Sequence, residues 1–405
     1  MSADPNPVDP TTTDPNPVDP TTTDPNPTVP PTMRAAVWRG AGRPLTLEEL
    51  HTPVPQQDEV LVRVTACGVC HSDLHVLDGA IPFPQPAVLG HEISGTITAL
   101  GPGAERRGLT VGRSVSGAFL MPCGWCTHCV AGRDDLCSEF FGKNRLAGQL
   151  FDGTSRLRGL DGETVAMYSM GGLAEYAVLP ATSVAPLPPE LEMVSAAILG
   201  CAGLTAYGAV RRAADVRPGE TVAVVAVGGV GSNLVQVAAA FGASQVIAVD
   251  IDDEKLAAAG RLGATHTVNS LTTDARQAVL DLTGGRGVDV AFEAVGGPRT
   301  FELALQVLAP GGRMVPVGLG AAGETAPVEI NLMVRRSLRI IANYGARTRT
   351  DLPAVIELAA SGALRYRDVV TRTYGFEEVD EAYGALRAGT ITGRAVVTIG
   401  EMSQG

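Results

Sequence analysis

The stretch TVAVVAVGGVGSNLVQVAAAFGASQVIAVD, residues 221–250, decides the fold class of this chain. It opens and closes with short apolar runs rich in valine, and a glycine-rich turn and a helical pattern lie between them. The same alternation continues through DEKLAAAGRLGA, VDVAFEAV, RTFELALQVL and GGRMVPVGL. Strands that alternate with helices imply a parallel, doubly wound sheet with right-handed crossovers. We therefore predict an α/β protein.

The glycine-rich turn and the acidic residue after it indicate a dinucleotide site. The turn departs from G-x-G-x-x-G, because Ala226 stands at the first glycine. Gly228 and Gly231 keep the positions that let a pyrophosphate approach the helix N-terminus and let the helix pack on the strand. Asp250 ends the second strand, where a carboxylate accepts hydrogen bonds from ribose hydroxyls; otherwise it starts a turn or caps the next helix. We predict a Rossmann domain over 204–343 that binds NAD through Gly228, Gly229, Val230, Gly231 and Asp250.

A second informative stretch, CGVCHSDLHVLDGAIPFPQPAVLGHE at residues 67–92, combines thiols with an imidazole. Cys70 and His91 are residue types that Zn²⁺ binds, and a catalytic zinc needs three protein ligands with one position left open. We take Cys201, in LGCAGLTAYG, as the third ligand. Cys67 is read as a buried apolar residue, with a C-x-x-C redox pair as the alternative.

A cysteine cluster follows in PCGWCTHCVAGRDDLC, residues 122–137. Its spacing is C-x₂-C-x₂-C-x₇-C, which is typical of a closed tetrahedral zinc site. Spacing alone leaves an iron–sulfur cluster or disulfides open as alternatives. The candidate ligands of this site are Cys123, Cys126, Cys129 and Cys137.

In their order and spacing these motifs resemble the zinc-dependent medium-chain alcohol dehydrogenases, from about Met33 to the C-terminus. DGTSR at 152–156 looks like the longer type of that family. The resemblance implies a β-rich, GroES-like catalytic domain, which the short alternating runs AAVW, EVLVRVTA and VLGHEISGTITAL also favour. This domain would span residues 33–203 and 344–405, with the structural zinc lobe at about 119–140.

The resemblance also implies an activity, namely reversible oxidation of a primary or secondary alcohol to an aldehyde or ketone with NAD. It implies two zinc ions per chain and a homo-dimer or homo-tetramer. Asp73 would orient His91, and Glu92 would support the zinc site or bind the ion transiently. Ser72 would take the alcohol's proton and pass it through the cofactor ribose to His75.

Further positions match cofactor and substrate contacts of the family. The cofactor set adds His71, Thr205, Lys255, Val317 and Arg394. The substrate set is apolar or aromatic, which predicts medium-sized or aromatic alcohols as substrates: Phe119, Met167, Tyr168 and Leu319. Surface charges or plain core positions are the alternative interpretations of these residues.

Two other enzyme activities and one non-catalytic role compete with this interpretation. A relative acting on a thiol adduct of formaldehyde, or one reducing a conjugated double bond, would share the fold. Double-bond reductases commonly lack the catalytic zinc ligands, so the complete set here counts against them. A non-catalytic dinucleotide-binding protein would not need the ligands and the relay.

Composition sets broader limits. The 405 residues are 45% apolar and 18% charged, as in ordinary globular proteins. No apolar run reaches the roughly 18 residues of a membrane span, and no secretory signal is recognised. Seven cysteines, mostly at metal-type spacing, favour a cytoplasmic location. The net charge of −12 argues against nucleic acid as a partner.

The N-terminus is of low complexity. DPNPVDPTTT at residues 4–13 is repeated at 14–23, with almost nothing apolar to bury. We predict a disordered tail over residues 1–32.

Overall fold

The computed structural model describes residues 29–321 and 323–400 of the protein. Its N-terminal part is rich in strands with a few short helices. In chain order these are β1 (Thr32–Trp38), β2 (Thr46–His51), β3 (Glu59–Val69), α1 (His71–Leu77), β4 (Ala87–Val88), β5 (Ile93–Leu100), β6 (Ser114–Gly117), α2 (Thr127–Val130), β7 (Leu157–Gly159), β8 (Thr164–Met167), β9 (Tyr176–Pro180), β10 (Val184–Pro186), α3 (Met193–Ala196) and α4 (Ala202–Tyr207).

The middle part alternates strands and helices. It comprises β11 (Thr221–Val225), α5 (Gly229–Ala240), β12 (Gln245–Asp250), α6 (Asp253–Arg261), β13 (His266–Asn269), α7 (Ala275–Leu282), β14 (Val288–Glu293), α8 (Pro298–Gln306), β15 (Leu308–Pro316), α9 (Ile330–Arg336) and β16 (Arg339–Ile340). The C-terminal part adds α10 (Thr348–Ala360), α11 (Tyr366–Val369), β17 (Val370–Gly375), α12 (Val379–Arg387) and β18 (Arg394–Thr398).

The middle part forms one parallel sheet in the order β13-β12-β11-β14-β15-β16. This order, which reverses between the first and fourth strands, is that of the Rossmann fold, so the predicted fold class is confirmed. The short elements β13, α7, α9 and β16 were not predicted. Their runs are only two to eight residues long, and patterns that short do not stand out from loop sequence.

The strand-rich part contains a closed barrel, β1-β2-β7-β8-β4, beside a sheet in the order β10-β6-β5-β3-β18-β17. The C-terminal strand β18 pairs antiparallel with β3, so Ala395 lies opposite Val69 and Val397 opposite Cys67. This pairing carries Arg394, the first residue of β18, to the end of β3 where Cys70 follows. The C-terminal strand thus completes a sheet of the strand-rich part.

Two local expectations need correction. The run VLGHEISGTITAL is not one strand, because β4 ends at Val88 and β5 starts at Ile93. Gly90 between them adopts φ 90°, a left-handed conformation that glycine adopts without strain. The predicted tail, residues 1–32, also extends too far along the chain. Thr32 begins β1, and the Thr52 N–H donates to Pro31 O at 3.0 Å. The rest of that tail lies outside the described residues.

Buried apolar side chains form a core in each part. The barrel side packs around Trp38, Leu61 and Ile97, and the sheet of the middle part packs Val224 and Phe292 against its helices. In the described residues no single helix is long and apolar enough to cross a membrane. The bent pair Met193–Gly200 and Ala202–Ala214 passes that test jointly, on length and composition alone.

Candidate active site

A cleft of about 710 Å³ lies where the strand-rich part meets the carboxyl edge of the parallel sheet. Ligands of doubly wound folds bind at this edge, outside the carboxyl ends of the strands. From the strand-rich part, the predicted site residues that line it are Cys70, His71, Ser72, His75, His91, Phe119, Cys201 and Arg394. From the middle part and its approach they are Thr205, Gly228, Gly229, Val230, Gly231, Asp250, Lys255, Val317 and Leu319.

The three predicted zinc ligands meet at the floor of this cleft. Cys70 precedes α1, His91 follows the turn at Gly90, and Cys201 precedes α4. Their donor atoms and one oxygen of Glu92 all lie within 4.8 Å of one another. Two thiols, an imidazole and a nearby carboxylate form a donor set that suits Zn²⁺. All four side chains are buried, and their donor atoms are close enough to bind a single ion.

A buried hydrogen-bond chain orients the imidazole. Asp73 Oδ1 lies 3.0 Å from His91 Nδ1 and also accepts from the Gly90 N–H at 3.1 Å. The other oxygen of Asp73 accepts from the Tyr383 hydroxyl at 3.0 Å. Because Nδ1 is held by the carboxylate, Nε2 is left to face the cleft as a metal ligand. Asp73 thus stands where the sequence predicted an orienting carboxylate.

Burial and charge act together on the ionisable groups of the floor. Burial alone would lower the pKa of His91, but Asp73 and Cys70 raise it to about 10. Burial raises the pKa of Glu92 to about 7, against the opposing effect of Arg394. A hydrogen bond from Cys201 lowers the pKa of Cys70 well below its usual value, and Arg394 and His91 act in the same direction. The site therefore favours a thiolate at Cys70.

Arg394 connects the floor to the glycine-rich turn. Its Nη1 lies 3.1 Å from Glu92 Oε1 and donates to Val69 O at 3.1 Å. A Cβ added to Gly229 would lie 2.3 Å from Arg394 Nε, so the guanidinium touches the turn. Among the described residues Nε has no hydrogen-bond partner. A buried unpaired N–H beside the first turn of α5 fits the predicted contact with an anionic cofactor group.

The glycine-rich turn itself has the geometry of a nucleotide site despite its alanine. Ala226 adopts φ 72°, the left-handed conformation that the usual glycine supplies without strain. A Cβ on Gly231 would lie 2.0 Å from Ala226 O, so helix α5 could not pack on the strand with any larger residue there. The motif therefore keeps Gly231, which the packing of the helix requires. It lacks only the first glycine, whose place is taken by Ala226.

Asp250 is held at the edge of the cleft. Its Oδ2 accepts from the Val227 N–H at 2.8 Å, and its Oδ1 accepts from the Ile251 N–H at 2.8 Å. The cap of α6 is instead Asp252, whose carboxylate accepts from the N–H groups of Glu254 and Lys255. The alternative that Asp250 caps this helix is therefore wrong, but its Oδ1 also accepts from the Asp252 N–H at 3.2 Å, so Asp250 does begin the turn.

The four clustered cysteines meet in a surface lobe. Their sulfur atoms lie within 4.8 Å of one another, and Cys123 Sγ is 3.9 Å from Cys129 Sγ. Sulfurs about 2.3 Å from one tetrahedral ion are about 3.8 Å apart, so the spacing fits a single zinc. Burial raises the pKa of the Cys126 thiol, but backbone N–H groups of Cys129 and Ser138 outweigh it and lower the pKa to about 6. Cys137 completes this group of four cysteines, and none of the four lines the cleft.

Two predicted substrate contacts do not reach the cleft. Met167 and Tyr168 are fully buried, and neither lines the cleft. The Met167 sulfur accepts from a backbone N–H, and the Tyr168 ring packs edge-on against Phe83 with 5.1 Å between centroids. Both are therefore core residues, and the structure does not bring them to the wall of the cleft with the other predicted substrate contacts. Phe119 and Leu319 do line the cleft.

Three residues of this region were not predicted from the sequence. Tyr383 holds Asp73 from a helix 310 positions away, and Tyr344 packs edge-on against Phe119 with 5.6 Å between ring centroids. Arg145 lines the cleft from a stretch whose periodicity is weak. No spacing rule marks any of them, because their places depend on which distant elements pack together.

Comparison with known proteins identifies two matching family models. One, described as "Alcohol dehydrogenase GroES-like domain", matches residues 56–189. The other, described as "Zinc-binding dehydrogenase", matches residues 229–361. These ranges cover most of the strand-rich part and most of the parallel sheet.

Similar proteins share nearly their whole length with this chain. The "NDMA-dependent alcohol dehydrogenase" of Amycolatopsis methanolica is 34% identical over 362 residues, 88% of this chain and 96% of that protein. The "S-(hydroxymethyl)glutathione dehydrogenase" of a Synechocystis strain is 33% identical over 88% of this chain and 97% of its own. The crystal structure of benzyl alcohol dehydrogenase from Acinetobacter calcoaceticus superposes with a TM-score of 0.84 at 33% identity, covering 91% of this chain and 99% of that one.

Proposed function

The chain belongs to the zinc-type medium-chain dehydrogenase/reductase family, and on that premise we propose that it oxidises primary or secondary alcohols reversibly with NAD as the hydride acceptor. Membership makes it an oxidoreductase. The observation that supports the finer proposal is the cleft, in which the donor set of Cys70, His91 and Cys201 shares one cavity with the glycine-rich turn and Asp250. A metal-bound alcohol and a nicotinamide need that proximity, since hydride transfer requires near contact.

The zinc ions are part of this proposal. Cys70, His91 and Cys201 would hold one ion and leave one position open, and the four lobe cysteines would close the shell of a second. At the open site zinc supplies Lewis-acid polarisation of the alcohol oxygen. Asp73 keeps His91 in one tautomer and orientation, and Arg394 balances the charge of Glu92 beneath the site.

The remaining chemistry belongs to side chains that line the cleft. Ser72 would take the proton of the substrate hydroxyl, and His75, which lines the same cleft, would accept it at the end of the relay. The glycine-rich turn and Arg394 bind the pyrophosphate, and Asp250 and Lys255 contact the adenosine ribose. His71, Thr205 and Val317 line the same path. Phe119 and Leu319 give the substrate end an apolar wall.

A spectrophotometric assay tests this function. Purified protein with NAD and a panel of alcohols should produce NADH, with kcat/KM rising about tenfold or more from ethanol to hexanol or benzyl alcohol. The physical reason is burial of apolar surface, at about 0.8 kcal/mol for each methylene. The glutathione adduct of formaldehyde belongs in the panel because one of the similar proteins carries that name.

Three results would contradict the proposal. No NADH from any alcohol would reject the dehydrogenase function, and activity confined to the glutathione adduct would favour the alternative enzyme. Best activity with ethanol would reject the apolar substrate end.

Cofactor choice gives a second prediction. Asp250→Asn removes the charge and keeps an oxygen that accepts the Val227 N–H. The wild type should prefer NAD over NADP by about 100-fold or more, since the carboxylate repels a 2′-phosphate and binds the ribose hydroxyls. In the variant this ratio of kcat/KM values should fall about tenfold or more.

The matched control is Glu254→Gln, which removes an exposed carboxylate from the first turn of α6. It should leave the cofactor ratio within about twofold of the wild type, because exposed charges are screened by salt. Equal efficiency of the unmodified protein with both cofactors would show that Asp250 does not select NAD.

A further inference from the structure

Arg145 places a positive charge in the wall of the cleft close to the metal floor. It ends the π-helical segment Phe140–Arg145, is half-buried, and lines the cleft together with Phe119 and Tyr344. Its Cζ lies 4.1 Å from the centroid of the Tyr168 ring, and that centroid lies 5.8 Å from the centroid of His91. One aromatic ring therefore separates the guanidinium from a proposed zinc ligand.

Unlike the basic residues near it in sequence, Arg145 faces no carboxylate. Lys143 pairs with Glu139 at 3.1 Å, and Arg156 pairs with Glu59 at 2.7 Å. Within the described residues no Asp or Glu oxygen lies within 4.0 Å of Arg145. A guanidinium stays protonated in proteins, and here the cation lies over the face of a tyrosine ring and not beside a carboxylate. Its charge is therefore available to an anion that enters the cleft.

The cofactor is one anion that this cleft is proposed to hold, but its phosphates are expected to bind away from Arg145. The groups suited to the pyrophosphate are the first turn of α5 and Arg394, and Arg394 touches that turn at Gly229. Arg145 instead packs on Tyr168, a catalytic-domain core residue, and shares the wall with Phe119 and Tyr344. These aromatic side chains bound the substrate end.

We propose that Arg145 binds a carboxylate of the substrate, so that the preferred alcohols are hydroxy acids whose carboxylate lies several bonds from the carbinol carbon. This inference rests on the proposed alcohol dehydrogenase function. The fork of the guanidinium donates two parallel hydrogen bonds to the two carboxylate oxygens, a geometry that favours arginine. The carboxylate is unchanged: the carbinol carbon loses a hydride to nicotinamide and the hydroxyl loses its proton, giving an aldehyde acid or keto acid.

The first test needs no variant. The wild type should oxidise 4-(hydroxymethyl)benzoate with a kcat/KM about tenfold or more above that of its methyl ester, mainly through a lower KM, as expected for a charge-assisted hydrogen bond. The two substrates have the same ring and the same reacting carbon, so the difference reports the carboxylate. Values within about threefold of each other, with both substrates active, would overturn the proposal.

The second test removes the guanidinium. Arg145→Met should raise KM for the acid about 10- to 100-fold and leave the ester within about threefold, because only the acid loses its ionic partner. Arg145→Lys should recover part of the loss as a single-point cation. The matched control is Lys143→Met, which removes a charge from the same π-helical segment but outside the cleft, and should not change the acid-to-ester ratio.

Loss of both substrates in parallel, or weaker NADH binding with an unchanged ratio, would instead assign Arg145 to folding or to the cofactor. In the same variant, a loss confined to the glutathione adduct of formaldehyde would identify that carboxylate-bearing adduct as the source of the anion.

A binding measurement separates failure of this proposal from failure of the proposed function. Calorimetric titration with 4-methylbenzoate in the presence of NADH needs no turnover. The wild type should bind it about tenfold or more tightly than Arg145→Met does. Equal binding would overturn the role of Arg145 even if alcohols are oxidised, whereas the expected binding difference without any turnover would reject only the dehydrogenase activity.

Discussion

Cys70→Ser is expected to lower kcat/KM for alcohols by about 10³-fold or more while the protein stays folded. Cys70 supplies one of the three ligands proposed for the open site, and serine binds zinc poorly at neutral pH. A Lewis acid lowers the barrier by several kcal/mol, and each 1.36 kcal/mol corresponds to about tenfold in rate. Metal analysis should show a loss of about one zinc ion per chain relative to the wild type.

Cys67→Ala is the matched control, because this cysteine lies three positions earlier, is fully buried, and stands outside the donor set. It should keep wild-type zinc content and turnover, at the cost of a small loss of packing. Full activity of Cys70→Ser, or an unchanged zinc content, would remove Cys70 from the proposed ligand set. A comparable loss of turnover in both variants would mean that thiol packing rather than metal binding controls the site.

Cys123→Ala is expected to act on stability. The four cysteines lie within one short loop, and a structural zinc bound by them would contribute folding free energy directly. Loss of several kcal/mol should lower Tm by about 10 °C or more. The lobe is tied to the rest of the protein by Arg349, which pairs with Asp134 at 2.6 Å and donates to Cys129 O. Unfolding of the lobe should therefore loosen helix α10 as well.

Thr127→Ala is the control for this variant, since the residue is exposed and lies between two of the cysteines. Its Tm should shift by no more than about 2 °C, as for an ordinary surface substitution. Thermal unfolding followed by circular dichroism, with zinc content measured on the same samples, checks both variants. An unchanged Tm in Cys123→Ala with loss of one zinc would show that this ion does not stabilise the fold.

Loss of zinc would thus lower turnover at one site and thermal stability at the other. The fold explains this difference. The floor site draws Cys70, His91 and Cys201 from three separate parts of the chain, and the packing of those parts into the core buries all three side chains. The lobe site draws its ligands from one short loop that contains a four-residue helix, α2, and the apolar side chains Trp125, Val130 and Leu136 of this loop stay exposed. Zinc is required where packing is scarce.

The sequence by itself determined the fold class, and it predicted the two candidate metal ligand sets and the nucleotide-binding turn. Metal coordination and phosphate binding need particular residue types at short, fixed spacings, so they remain visible in the linear chain. The cysteines of the lobe and the succession of turn, helix, strand and Asp250 are examples. Cys201 was found because few other cysteines remained to complete a donor set.

Only the tertiary structure decided which side chains line the substrate end of the cleft. Met167 and Tyr168 lie in the core, whereas Arg145 lines the cleft although its stretch of sequence has no clear periodicity. The Tyr383 hydroxyl donates a hydrogen bond to Asp73, which lies 310 positions earlier in the sequence, and no local sequence pattern predicts this contact. The physical reason is that lining a cavity depends on the rotation of each strand and on how distant elements pack, and residues of many types satisfy both conditions.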